Sequence, residues 1–126
     1  MIYGFENETA PLNEVENKAA IIIAYCLKHG HTGKENAVTA ERMCNSLARQ
    51  DADFRDNKGR PYLNGARIRK IINFIRTSGM VTNLIAGSKG YYISNDPDEL
   101  RAYIQSLRQR ADAITAVANS MERAAL

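Results

Sequence analysis

Four isoleucines recur at helical spacing in the middle of the chain, and they constrain the fold more than any other feature. They stand at i, i+3, i+4 and i+7, between Asn64, a good N-terminal cap, and Gly79, a residue type that commonly ends helices. This pattern predicts a helix over about 65–78 with one apolar face turned inward. The face consists of Ile68, Ile71, Ile72 and Ile75.

Two more helices are predicted before this one, and a hairpin after it. Apolar residues recur with helical spacing over 13–30 and, more briefly, over 40–49. The strand-like runs 80–86 and 91–94 are joined by four turn-forming residues, 87–90. We therefore expect a mainly α domain over 13–95 with a small β-hairpin, in the order helix, helix, helix, hairpin, preceded by a flexible N-terminal arm at 1–12.

A long C-terminal helix is predicted over 96–126. Asp96 and Pro97, followed by two acids, form a strong helix start. Apolar residues then recur every seven positions, a pattern typical of helices that pair, although Arg110 interrupts it. The pattern favours a homodimer through a seam of Leu100, Tyr103, Leu107, Ile114, Val117 and Met121.

Basic residues are concentrated where the isoleucine helix and the hairpin are predicted. Residues 57–95 contain seven Lys or Arg and no Asp or Glu, although the chain holds 14 acids and its net charge is only +3. On a helical wheel, the side opposite the isoleucines carries cations, amides and small residues and no carboxylate. Such a polarised surface indicates a polyanionic partner.

The same stretch resembles a known family. The segment Leu63-Asn64-Gly65-Ala66-Arg67-Ile68-Arg69-Lys70-Ile71-Ile72-Asn73-Phe74-Ile75-Arg76, with the later Gly87-Ser88-Lys89-Gly90-Tyr91-Tyr92-Ile93, is similar to the recognition helix and wing of the biotin-operon repressor's DNA-binding domain. It resembles still more closely the winged helix-turn-helix proteins encoded by bacterial prophages. The resemblance covers about 63–107 and implies a regulator of transcription that binds duplex DNA and is not an enzyme.

The resemblance and the charge pattern together give a set of candidate contacts. A recognition helix at about 65–78 meets base edges in the major groove, where arginine favours guanine and asparagine favours adenine. A wing at about 80–94 contacts the phosphate backbone. The predicted DNA-binding residues are Asn64, Ala66, Arg67, Arg69, Lys70, Asn73, Arg76, Thr77, Ser88 and Lys89.

One departure from the family concerns the connection between the second and third helices. Family members use a short turn there, whereas this chain inserts 50–62, a loop-like stretch with three aspartates. These acids would repel DNA if they lay beside the third helix. An alternative function is therefore a winged-helix adaptor, in a phage replication or assembly complex, whose C-terminal seam binds a foreign helix instead of its own copy.

Other classes of function have little support in the sequence. Cys26, His29 and His31 suggest zinc only if Cys44 supplies a fourth ligand, and a helix end explains the histidines more simply. A nuclease would need an acid cluster beside the cationic face, where none is found. Both cysteines occupy positions expected to be buried in the fold. Their number and placement favour a reducing cytoplasm. We predict no cofactor, metal, small-molecule substrate or membrane span.

Overall fold

The structure is a computed structural model that describes residues 9–126, and its contacts divide them into two units. The first unit ends at Asn95, and the second begins at Asp96. Within the predicted flexible arm, residues 1–8 lie outside the described part of the chain. Leu12, in contrast, packs against the core, so the end of that arm belongs to the folded unit.

Within residues 9–126 the first unit contains three α-helices followed by a hairpin, and the second is one long helix. This confirms the predicted mainly α architecture with a small β-hairpin and a C-terminal helix. The elements are α1 (Glu14–Gly30), α2 (Ala40–Gln50), α3 (Gly65–Ser78), β1 (Leu84–Gly87), β2 (Gly90–Ile93) and α4 (Pro97–Ala125).

Local capping chemistry sets most helix ends. The side chains of Thr39 and Asn64 accept backbone N–H bonds in the first turns of α2 and α3, and Gly79 ends α3 in a left-handed conformation with φ 80°. Helix α1 starts with a reciprocal pair, since Asn13 and Glu16 each bond the other's backbone N–H. Gly30 is the last helical residue of α1, and His31 is its C-terminal cap.

All four isoleucines of α3 are buried, as predicted, and α1 packs against them. Cys44 is buried too, but Cys26 is exposed, so its predicted burial is wrong. Cys26 lies at the edge of the buried face of α1, where it lines an open groove with Ile22 and Met43. The core comprises Ala19, Ala20, Ile23, Ala24, Leu27, Val38, Met43, Cys44, Leu47, Phe54, Leu63, Ile68, Ile71, Ile72, Ile75, Val81 and Leu84.

The hairpin is shorter than predicted. Residues 80–83 form bends instead of strand, because Val81 turns into the core there, and Leu84 pairs with Ile93 at the open end of the ladder. At the other end Gly87 pairs with Gly90, so the turn contains two residues, Ser88 and Lys89, where four had been expected.

The second strand is held on its other side as well. The Val38 and Tyr91 backbones exchange two hydrogen bonds of 2.9 and 2.8 Å, which bring Gly90 very close to that segment. A Cβ on Gly90 would lie 2.4 Å from the Val38 carbonyl oxygen, and its φ of 120° is one that residues with side chains rarely adopt. Glycine at this position therefore fixes the hairpin against the helical part of the unit.

The 50–62 connection is ordered around one aromatic residue. A single 3₁₀ turn, Ala52–Phe54, follows α2, and the Phe54 side chain is buried in the core with 1% exposure. Arg55 and Pro61 then form an isolated antiparallel bridge. The sequence predicted only a loop here, because one aromatic residue between charged neighbours has no periodicity to mark it.

Helix α4 forms the second unit and confirms the predicted helix start. Asp96 caps it and Pro97 is its first residue. Within Pro97–Ala125 no side chain is buried. Its large apolar residues Ile104, Leu107, Ile114, Val117 and Met121 are between 37% and 65% exposed. The predicted dimer seam is thus largely open to solvent in the single chain.

Candidate nucleic-acid interface

The outward side of α3 carries the exposed residues predicted to meet DNA. Ala66, Arg69 and Thr77 are exposed, whereas Asn73 and Arg76 are half-buried. The Thr77 hydroxyl donates a 2.9 Å hydrogen bond to the Asn73 carbonyl oxygen, which anchors it to its own helix. Since the four isoleucines face inward, the opposite side is necessarily the one that a groove could accept.

Asn64 has a structural role at the start of this helix. Its side-chain oxygen accepts a 2.9 Å hydrogen bond from the Arg67 backbone N–H. One of the otherwise unpaired first-turn donors is thereby satisfied, which is the usual function of asparagine at this position. The Asn64 side chain remains exposed, but its oxygen is already engaged.

Two of the predicted DNA contacts bind an internal carboxylate. Glu16 of α1 is fully buried, and its Oε1 lies 2.7 Å from Lys70 Nζ while its Oε2 lies 3.2 Å from Arg67 Nη1. The Lys70 side chain is only 16% exposed, and that of Arg67 35%. The prediction that no carboxylate neutralises the cationic edge of α3 is therefore wrong at its N-terminal end. Counting charges along residues 57–95 could not reveal an acid from α1.

The surroundings of Glu16 show how the carboxylate is stabilised. The Asn13 backbone N–H donates to Oε1 at 2.9 Å, so this oxygen accepts two hydrogen bonds. Asn13 also donates through its side chain to the Tyr62 hydroxyl at 3.0 Å, and the Arg67 guanidinium lies 4.5 Å from the centre of the Tyr62 ring. We refer to Asn13, Glu16, Tyr62, Arg67 and Lys70 as the Glu16 cluster. It joins the start of α1 to the start of α3.

The charged state of Glu16 follows from these contacts. Burial raises the pKa of the carboxyl group, but the Asn13 amide, Lys70 and Arg67 together lower it by more, so the pKa lies below its usual value. Glu16 is therefore ionised at neutral pH. The cluster consists of two cations over one buried anion, and it still presents net positive charge towards solvent.

Sequence signals for Glu16 existed but were weak. Glu16 precedes Ala19, Ala20 and Ile23 by three, four and seven positions, which places it on the buried face of α1. Asn13 and Glu16 also match the capping-box spacing. Either signal alone is usually explained by an exposed first-turn acid, and only the approach of α3 makes this one internal.

The acids of the 50–62 connection are also engaged within the chain. Lys18 of α1 binds Asp51 at 2.8 Å and Asp53 at 2.7 Å, and both carboxylates remain at the surface. Asp56 accepts the backbone N–H groups of Lys58 and Arg60 at 2.8 and 3.0 Å. Their negative charge is partly balanced locally, which weakens the repulsion expected if DNA approached this connection.

The wing presents a cation at its tip. Ser88 and Lys89 are exposed in the two-residue turn, and no carboxylate among residues 9–126 pairs with Lys89. Behind the turn, Tyr92 is buried and Tyr91 half-buried. The tip can therefore offer an ammonium group to a phosphate without disturbing the strands.

Residues considered for metal binding have other contacts. Nδ1 of His29 lies 2.8 Å from the Tyr25 carbonyl oxygen, and Nδ1 of His31 lies 2.7 Å from that of Asn36. Within residues 9–126 no group of three or more His, Cys, Asp or Glu side chains is placed to hold a metal ion. A groove of about 290 Å³ between α1 and α2, lined mainly by apolar residues such as Ile22 and Met43, contains no acidic side chain.

Comparison with protein-family models, with curated proteins and with solved structures gives no match. Across the described residues, no helix combines the length and apolar character needed to cross a bilayer.

Proposed function

We propose that the protein binds double-stranded DNA as a winged-helix regulator of transcription, of the kind encoded by prophages and bacteria. The observation that carries the proposal is the outward face of α3 together with the tip of the wing. Both lie within residues 57–95, which contain no acid, and both expose cationic side chains. The four inward isoleucines leave this face as the only side of α3 that a groove could accept.

The Glu16 cluster changes which residues are expected to recognise bases. Arg67 and Lys70 each bind one oxygen of the Glu16 carboxylate. If either side chain turned towards DNA, the fully buried carboxylate would lose one of its cationic partners, which is costly. Base recognition is assigned to Arg69 and Asn73, with Ala66 and Thr77 beside them, because these four residues lie on the outward side of α3. Arg76, Ser88 and Lys89 are assigned to phosphates, which position the protein without specifying sequence.

A titration with duplex DNA tests this proposal. Duplexes selected from a random pool are expected to bind with an affinity that falls steeply as salt rises, because phosphate contacts release counterions. Arg69→Ala or Asn73→Ala should cost about 1–3 kcal/mol of discrimination between selected and scrambled duplexes. Lys89→Ala should weaken both duplexes equally and reduce the salt slope by about one.

Two variants serve as controls in the same titration. Lys28→Ala removes an exposed cation near the end of α1 and should leave both affinity and discrimination close to wild type. Lys70→Ala should lower stability while leaving base discrimination unchanged, since its ammonium is bound to Glu16. Failure to bind any duplex at low salt would rule out the proposed function.

The adaptor remains a second candidate, and one observation favours it. Ile21 and Tyr25, one turn apart on α1, are more than 60% exposed and together offer an apolar surface to a partner protein. An adaptor would show no salt-dependent affinity for duplex DNA. Replacing both residues with serine should leave DNA binding intact if the first proposal is correct.

A further inference from the structure

Helix α4 carries an unbroken apolar seam that differs from the predicted one. Its members alternate at steps of four and three residues, which is the spacing of a two-helix contact, and none of them is charged. Arg110, Tyr103 and Val117 flank this seam instead of belonging to it. The seam consists of Leu100, Ile104, Leu107, Ala111, Ile114, Ala118, Met121 and Ala125.

Large and small residues alternate along the C-terminal three quarters of the seam. Leu107, Ile114 and Met121 are each followed, four residues later, by an alanine. The large members Ile104, Leu107, Ile114 and Met121 are between 37% and 65% exposed, so they are available for contact. The alternation determines which partner helix fits.

We propose that α4 pairs with the α4 of a second copy of this chain in antiparallel orientation. Aligned about a centre between Asp112 and Ala113, an antiparallel copy places Leu107 opposite Ala118 and Ile114 opposite Ala111. Leu100, Leu107 and Ile114 then each face an alanine, whereas Ile104 faces Met121, so most layers combine one large and one small side chain and interdigitate. This inference concerns α4 alone and does not depend on DNA binding.

A parallel copy packs less well. It would place each residue opposite its own equivalent, so that leucine and isoleucine layers alternate with alanine layers. The large layers would hold the helices apart at Ala111 and Ala118, leaving voids whose cost rises with their volume. Size alternation therefore favours the antiparallel pair.

Charge favours the same orientation. The start of α4 carries Asp96, Asp98 and Glu99 within four residues. A parallel pair would bring both acidic ends together, whereas the antiparallel pair separates them by about 40 Å along 29 residues, at 1.5 Å per residue. That separation is several times the screening length of about 8 Å at physiological salt. The two first units, which join α4 at Asp96, would likewise emerge at opposite ends of the helix pair.

Spin-label distances in the full chain distinguish the arrangements. Cys26 is the exposed thiol and is replaced by serine, whereas Cys44 is buried and burial raises the pKa of its thiol, which disfavours labelling there. A label at Arg101→Cys should lie more than about 35 Å from its copy in the antiparallel pair, but within about 20 Å in a parallel one. A label at Asp112→Cys, near the centre of the pair, should lie close to its copy in both the antiparallel and the parallel arrangement. A short distance there therefore reports dimer formation regardless of orientation.

A size-swap series gives an independent readout by sedimentation. Ala111→Leu places a leucine against the partner's Ile114 twice per dimer and should raise the dimer dissociation constant about tenfold or more. In a parallel pair the same change would fill a void and tighten association. The double variant Ala111→Leu/Ile114→Ala should restore the dimer, and Ala116→Leu, on the exposed opposite side of α4, should have no effect.

Three results would overturn the inference. The first is a monomer at all concentrations up to about 100 μM, well above the micromolar affinities typical of weak specific contacts. The second is a short Arg101 distance, which would show a parallel pair. The third is tighter association of Ala111→Leu.

Discussion

Glu16→Ala is expected to lower the free energy of unfolding by about 3 kcal/mol, the low end of the range for removing one member of a buried ion pair. The change leaves Lys70, whose side chain is 16% exposed, without its anion, and it removes the acceptor for the Asn13 backbone N–H. Arg67 is 35% exposed and can turn partly to water, which limits the loss. Urea unfolding followed by circular dichroism measures it.

Glu14→Ala provides the matched control. Glu14 is an exposed acid in the same first turn of α1, so its replacement removes the same favourable interaction with the helix dipole. We expect a loss below about 1 kcal/mol for this change. Equal losses for Glu14→Ala and Glu16→Ala would show that the Glu16 cluster adds nothing beyond helix-end electrostatics.

The Glu16 cluster also predicts an acid-sensitive fold. Because the pKa of Glu16 in the folded protein lies below that of the unfolded chain, about 4.3, its contribution is fully present above that pH. The contribution is lost as the pH falls through the folded-state pKa. Glu16→Gln should therefore be less stable than wild type at pH 7, and the difference should shrink below pH 4. A difference that is constant between pH 7 and pH 3 would contradict this.

Phe54→Ala is expected to cost about 3–5 kcal/mol, because it deletes a buried aromatic side chain and leaves a cavity. Phe54 is also the residue that fastens the 50–62 connection, and the Lys18 ammonium lies 5.6 Å from its ring centre. Besides the global loss in urea, the connection should become the first site of proteolysis. Intact protein and fragments are separated by mass spectrometry after brief digestion.

Phe74→Ala removes the same side chain from an exposed position on α3. Phe74 is 39% exposed, so its replacement should change stability far less than that of Phe54. If the two variants unfold at the same urea concentration, Phe54 does not anchor the connection. The comparison separates burial from the general effect of losing an aromatic residue.

The architecture was predictable because it depends on local patterns. The isoleucine spacing of α3, the caps Asn13, Thr39 and Asn64, and the Asp96-Pro97 start of α4 each involve neighbours within a few residues. The residues that make these interactions are neighbours in the sequence, so the sequence alone predicts them. The hairpin bounds were less accurate, since the packing of Val81 into the core depends on residues distant in sequence.

The site itself could be predicted only in part. The sequence alone determined that α3 has an apolar and a cationic side, because periodicity and charge are properties of one helix. Only the tertiary structure decided that Arg67 and Lys70 are bound by Glu16, and that Phe54 fills the core from a connection with no pattern of its own. The physical reason is that ion pairing and burial act between groups that are close in space. Neither the sequence of α1 nor that of α3 specifies the distance between the two helices.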